Sequence, residues 1–242
     1  MSSNKSSMWE RKTIFDFGVF YLIVRFILRK FMRNYRFLEG TLPTTEEPTV
    51  FVSHHENLKG PIKLLLWLPF FVRTWILSSM VDQEDCYDHY VNYTFTKRFG
   101  MPRKLAEWIA LPASHLVAWG TNSVQAIPVF RTSKKIKRTF DMTIEALDKN
   151  QPILILPDID YANSSTHIGR MYEGFLAIDK LYYKKTGKRV RFLSIYASHD
   201  THQIRCGEPV YFTGEKHFRQ ERGEVAELLH EELKRIIEIE SK

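Results

Sequence analysis

Six short apolar runs, each bounded by turn-forming residues, most tightly constrain how this chain can fold. They fall at Pro48–Ser53, Thr74–Ser79, Gln125–Phe130, Pro152–Leu156, Val190–Ala197 and Ile204–Phe212. Apolar runs of this length suit strands buried on both faces. Helical periodicities lie between them. Ile136, Phe140, Ile144 and Leu147 form one apolar face. Val225, Leu228, Leu229, Leu233, Ile236 and Ile237 form another, with glutamates and lysines opposite. Strands alternating with helices predict an α/β fold with a mixed, mostly parallel central sheet, covered by helices on both faces. No internal repeat or Pro/Gly-rich linker breaks the pattern. A length of 242 residues suits one domain with a terminal appendage.

The appendage is marked by its charge. Residues 1–41 carry eight basic side chains against three acidic ones, which is most of the chain's net charge of +7. An excess of this kind calls for an anionic partner: a phosphate, a membrane surface or a nucleic acid. The same segment is rich in aromatics, and its longest uncharged run, Phe17 to Val24, is 8 residues. A spanning helix needs about 20. No small-residue cleavage site follows, so a signal peptide is not indicated either. On a helix, Arg25, Arg29 and Arg33 recur along one side with Leu22, Ile23, Phe26 and Ile27 beside them. The pattern predicts an amphipathic helix over residues 1–35 that docks on a membrane, and an α/β domain over 36–242. Concentration of the charge on an apolar segment, with no helix-turn-helix, zinc or RNA-reading motif, argues against nucleic acid.

Residues 80–120 depart from the alternation. An acidic cluster (Asp82, Glu84, Asp85, Asp88) precedes a basic one (Lys97, Arg98, Arg103, Lys104), after which Leu105, Trp108, Ile109, Leu111, Leu116, Val117 and Trp119 crowd together. This reads as a helical insertion that covers the sheet, shapes an acyl channel or rests on a membrane. Cys86 and Cys206 make no disulfide framework and lack metal-ligand spacing, so no metal is expected and a reducing compartment is the simpler setting.

The residues that can carry chemistry stand at strand ends, where ligands gather in open α/β sheets. The first run ends in Ser53-His54-His55-Glu56. A neutral imidazole is a natural base toward an alcohol. The third run ends in Arg131, whose guanidinium can fork onto a phosphate, while the lysines after it suit a solvated face. The fourth ends in Leu156-Pro157-Asp158-Ile159-Asp160, and Gly174 opens a later helix. Gly207-Glu208-Pro209 interrupts the sixth run as a bend would.

In this order the four segments resemble the motifs of the glycerolipid and lysophospholipid acyltransferase superfamily, over roughly residues 36 to 213. Ser53-His54-His55 matches the entry to the family's histidine motif, with His55 in the place of the catalytic histidine. Arg131 matches the arginine that closes the second motif, Leu156-Pro157-Asp158-Ile159 the Phe-Pro-Glu-Gly motif, Gly174 a later glycine, and Gly207-Glu208-Pro209 the closing Gly-x-Pro strand. The sequence departs from the family at three points. Gly60 stands where the motif's aspartate should follow His55, Ile159 replaces a glycine, and Ser194 lies near the place of the fourth motif's proline. A carboxylate from Glu56, Asp158 or Asp160 is then needed to orient the imidazole.

The resemblance implies acyl transfer to a hydroxyl of a lysophosphatidate-like glycerolipid, with His55 as base, Glu56 or Asp158 as its carboxylate, and Arg131 and Gly174 at the acceptor. It implies acyl-CoA or acyl carrier protein as donor, no bound cofactor, membrane lipids as partners, and a peripheral or monotopic place on the cytoplasmic side of a membrane. The alternative is a lipid-binding protein that keeps the fold without the reaction.

Overall fold

The computed structural model describes residues 18–38, 47–56, 59–130, 135–159 and 168–240. It is α/β, as the alternation predicts, and it divides into two compact units. One joins the described residues up to Phe26 to Arg73–Asp141, and the other joins Ile27–Val72 to the described residues from Met142 onward. Neither unit is continuous in sequence. Helix α1 (Val19–Phe31) crosses the boundary between the units near its middle.

The second unit holds the larger sheet. Strands β1 (Arg36–Phe37), β2 (Thr49–Val52), β5 (Ile153–Ile155), β6 (Arg191–Ala197) and β7 (Gln203–Val210) lie in the order β1-β7-β6-β2-β5. Strand β2 runs parallel to both neighbours, pairing Val50 with Ile153 and with Phe192. Strands β6 and β7 form the antiparallel exception, with a bulge between Leu193 and Ile195. Every residue of β2, β5 and β6 is buried. Successive strand residues point to opposite faces, so both faces of this sheet are covered.

Helix α2 (Lys59–Trp67) packs on β6, and α7 (Phe218–Glu240) packs on β6 and β7. The long helix α7 buries Val225, Leu229, Leu233, Ile236 and Ile237, a three-to-four residue spacing that forms one apolar stripe. At Gly207 a Cβ would collide with the Glu232 side chain of α7, while Glu232 accepts the Glu208 N–H at 2.6 Å. The glycine in the sixth run therefore serves close helix packing, and β7 continues through it. Helix α6 (Ala177–Thr186) ends at Gly187, whose φ of 72° is the left-handed geometry of a helix C-terminus.

In the first unit, β3 (Arg73–Leu77) and β4 (Ile127–Val129) pair in parallel. Helix α3 (Gln83–His89) starts from Asp82, whose carboxylate accepts the Glu84 and Asp85 N–H groups at 3.0 and 3.1 Å. A π-helical stretch (Tyr90–Arg98) leads to α4 (Arg103–Ser123). Helix α5 (Ile136–Asp148) follows β4 and, like α1, crosses the division, here after Asp141; its Phe140 meets Trp75 edge-on at 5.8 Å.

Helix α4 inverts the usual pattern. It buries Ala106, Ala110, Ser114, Ala118 and Thr121, small residues that let α3 approach closely. Leu105, Trp108, Leu111, Leu116 and Trp119 stay exposed. The start of α1 is tied to the end of α4: Gly18 N–H donates to the Ser123 carbonyl at 2.9 Å, Tyr21 N–H donates to Ser123 Oγ at 2.9 Å, and Phe20 meets Trp119 edge-on.

The arginine side of α1 faces protein. Arg25 is buried, and Arg29 donates to the Leu66 carbonyl at 2.7 Å and lies over the Trp67 ring. The apolar side of the helix, with Val19, Ile23, Phe26 and Phe31, is the one left exposed. No described helix is long and apolar enough to cross a membrane.

Candidate active site

The site grows from the ends of two adjacent parallel strands. The ladder continues one residue past β2, where Ser53 N–H donates to the Ile155 carbonyl at 3.0 Å. The next residue, His54, therefore lies across from the segment leaving β5. There the chain folds back on itself. Asp158 bridges to Met171, Ile159 N–H donates to the Arg170 carbonyl, and Tyr172 N–H donates to the Pro157 carbonyl at 2.8 Å. This return fixes the backbone of Asp158 from both sides, and neighbouring Ile168 seals it to α7 through Leu233, Ile236 and Ile237.

Both oxygens of Asp158 point at the histidine segment. Oδ1 lies 2.6 Å from His54 Nδ1, and Oδ2 accepts the His55 backbone N–H at 2.8 Å. An ionised carboxylate only accepts, so in this contact Nδ1 is the donor. The ring is 1% exposed, and in that low-dielectric setting a charge-assisted hydrogen bond is strong. A buried carboxylate that fixes the tautomer and orientation of an imidazole is the arrangement a general base requires.

A second buried group starts two residues further along the chain, at Glu56. Glu56 has a φ of 44°, a left-handed backbone that costs a non-glycine residue about 1–3 kcal/mol. Its carboxylate holds that geometry. Oε2 accepts from Lys63 Nζ at 2.8 Å, Oε1 accepts from the Tyr196 hydroxyl at 2.8 Å, and Lys63 also donates to the Ala197 carbonyl at 3.0 Å. Lys63 and Glu56 are both about one-twentieth exposed, and Lys63 Nζ lies 5.9 and 6.0 Å from the Tyr35 and Tyr196 ring centres. Burial first, then the Glu56 carboxylate, pushes both phenols up from their ordinary value. The group pins the chain immediately after the histidines to α2 and β6.

Of the residues expected at the site, the structure joins Asp158 to the histidine pair and sets Glu56 beside it. The ring that meets Asp158 is that of His54, one residue before the family's position, while His55 is half-buried and gives Asp158 its main-chain N–H. Both oxygens of Glu56 are taken by Lys63 and Tyr196 rather than by an imidazole. Gly174 is exposed at the start of a short turn, with open space where a Cβ would stand. Arg131 and Asp160 lie outside the described residues.

Gly60 leaves no room for the aspartate that the resemblance expects at its position. Its N–H donates to the His55 carbonyl at 3.2 Å, and a Cβ there would sit 2.1 Å from the His54 carbonyl oxygen. The first turn of α2 closes so tightly on the histidine segment that no side chain fits at position 60. The carboxylate comes instead from the neighbouring strand end.

Lys63 and Tyr196 escaped sequence reasoning. The available signal was a lone lysine inside the apolar run Ile62-Lys63-Leu64-Leu65-Leu66, seven residues after Glu56. A lysine there needs a partner. Among the described residues no group of three or more His, Cys, Asp or Glu side chains is placed to hold a metal ion. Neither family models nor curated proteins nor solved structures give a match to this chain.

Proposed function

We propose that the protein transfers an acyl group from an acyl thioester, acyl-CoA or acyl carrier protein, to a hydroxyl of a lysophosphatidate-like glycerolipid on the cytoplasmic side of a membrane. The observation that carries the reading is the buried His54–Asp158 pair at the carboxyl ends of parallel β2 and β5. His54 Nε2 takes the proton of the acceptor hydroxyl as its oxygen attacks the thioester carbonyl. The tetrahedral adduct collapses, the C–S bond breaks, and the thiolate leaves with the proton from the imidazolium. Asp158 keeps its charge throughout and stabilises the imidazolium. Arg131 is assigned to the acceptor phosphate and Gly174 to the acceptor side, both on the resemblance alone. The test is acceptor-dependent thiol release from acyl-CoA with lysophosphatidate, measured for the wild type and for His54→Ala. Release by the wild type and its loss in the variant support the reaction. Equal release by both overturns the role of His54.

One observation favours a second reading, lipid binding without transfer. The His54 ring is almost fully buried, so little of it is presented to an incoming hydroxyl. Saturable lysophosphatidate binding with no thiol release from either donor would select that reading.

A further inference from the structure

Apart from the Phe20–Trp119 contact, the outer face of α4 stays exposed among the described residues, and its side chains are the wrong kind for water. Trp108 and Trp119 are 78% and 61% exposed, and Leu105, Leu111 and Leu116 lie on the same side of the helix. Single exposed apolar residues are ordinary, but a continuous row of large ones along a 21-residue helix is not.

Through the Phe20–Trp119 contact the row meets the start of α1, which leaves Val19, Ile23 and Phe26 exposed. The segment running into α4 is basic: Lys97, Arg98, Arg103 and Lys104 occur with no acidic residue among them. Lys97 and Lys104 are exposed. We infer that this face of α4, with the first turns of α1, lies in the headgroup region of an anionic bilayer. The apolar row is buried along the acyl boundary and the lysines before it meet lipid phosphates.

Three features of the site single out a bilayer. Indole rings combine an apolar body with an N–H that suits the membrane–water boundary. The charge at the head of the helix complements anionic lipid. The helix is too polar to cross, so it lies in the plane. Of the arginine stripe that the sequence offers for this task, Arg25 is buried and Arg29 meets the Leu66 carbonyl, while Arg33 lies past the end of α1 and is exposed. The inference rests on the membrane part of the proposed function and says which surface performs it.

The experiment is co-sedimentation of the full chain with vesicles of equal parts phosphatidylglycerol and phosphatidylcholine, and of phosphatidylcholine alone. Trp108→Glu with Leu116→Glu is expected to lower partitioning onto the mixed vesicles at least about tenfold, with the thermal melt unchanged. Trp108→Phe should retain binding. Lys97→Gln with Lys104→Gln should weaken binding several-fold on the mixed vesicles and hardly at all on phosphatidylcholine. If the double glutamate variant unfolds, Trp108→Gln replaces it.

Unchanged pelleting of the double variant overturns the assignment of this face and leaves membrane association standing. Failure of the wild type to pellet overturns both, and transfer is then judged separately with a water-soluble short-chain acceptor. A dimer that the double variant dissociates, without vesicle binding, gives the face to a second copy and also overturns the inference.

Discussion

Helices α7 and α4 are close in length, at 23 and 21 residues, and they bury opposite things. Helix α7 turns Val225, Leu229, Leu233, Ile236 and Ile237 inward, with Leu228 and Ile239 the large apolar side chains left exposed. Helix α4 turns alanines, a serine and a threonine inward and leaves tryptophans and leucines outside. The same contrast separates the two units. The unit with the larger sheet buries the His54–Asp158 hydrogen bond and the Lys63–Glu56 ion pair, each of which holds the histidine segment in place. The other unit offers an apolar surface. Amphipathicity alone does not say which side of a helix faces protein; in α4 the small side chains do, and they allow the close approach of α3.

The largest effect is expected where the unit with the larger sheet holds its imidazole. Asp158→Asn keeps the shape but can donate where the carboxylate only accepted, which frees the ring to take the wrong tautomer. Thiol release in the acyl-transfer assay should fall about 10⁴-fold, the scale seen when an orienting carboxylate is lost. Retained activity would break the link between buried charge and function in this unit.

Next comes Lys63→Met, which leaves the Glu56 carboxylate buried with only the Tyr196 hydroxyl. Breaking a buried pair costs roughly 3–5 kcal/mol, read as a shift in the denaturation midpoint. Matched truncations test the helices directly. Leu233→Ala in α7, where the side chain is fully buried, should cost about 2–5 kcal/mol. Leu116→Ala in α4 should change stability by no more than about 0.5 kcal/mol. Equal losses would mean that α4's outer face is packed against protein.

The smallest effect is a pH dependence. Burial, reinforced by Glu56, raises the Tyr196 phenol above its ordinary value of 10.0. A raised value means stability that is complete below the unfolded value and is lost as pH climbs towards the folded one. Wild-type stability should therefore fall above about pH 10. Tyr196→Phe should be less stable at neutral pH but show a shallower alkaline decline.

The strands were the most legible part of the sequence. All six apolar runs became strands, and β2, β5 and β6 show why such a run is legible: buried on both faces, they are apolar almost throughout. The strand missed, β1, is two residues long and leaves none. Asp158 was legible as one of three carboxylates, since parallel strand ends share an edge. Which of two adjacent imidazoles it holds was not, because that depends on the turn after β2. That turn is set by Glu56's left-handed backbone and by the contact of Gly60 with the His54 carbonyl. The outward face of α1 was likewise hidden, as a stripe of arginines beside a stripe of aliphatics does not announce that Trp67 and the Leu66 carbonyl await the arginine.

The central claim is that the imidazole held by Asp158 does the chemistry, and a side-by-side measurement of His54→Ala and His55→Ala tests it most directly. Acceptor-dependent thiol release is followed for both variants, with circular dichroism to confirm that each is folded. The account predicts that His54→Ala abolishes transfer while His55→Ala retains a measurable share of it, since the backbone N–H that His55 gives Asp158 survives the substitution. Loss of transfer in His55→Ala with transfer intact in His54→Ala would contradict the account and return the base to the position that the family resemblance assigns.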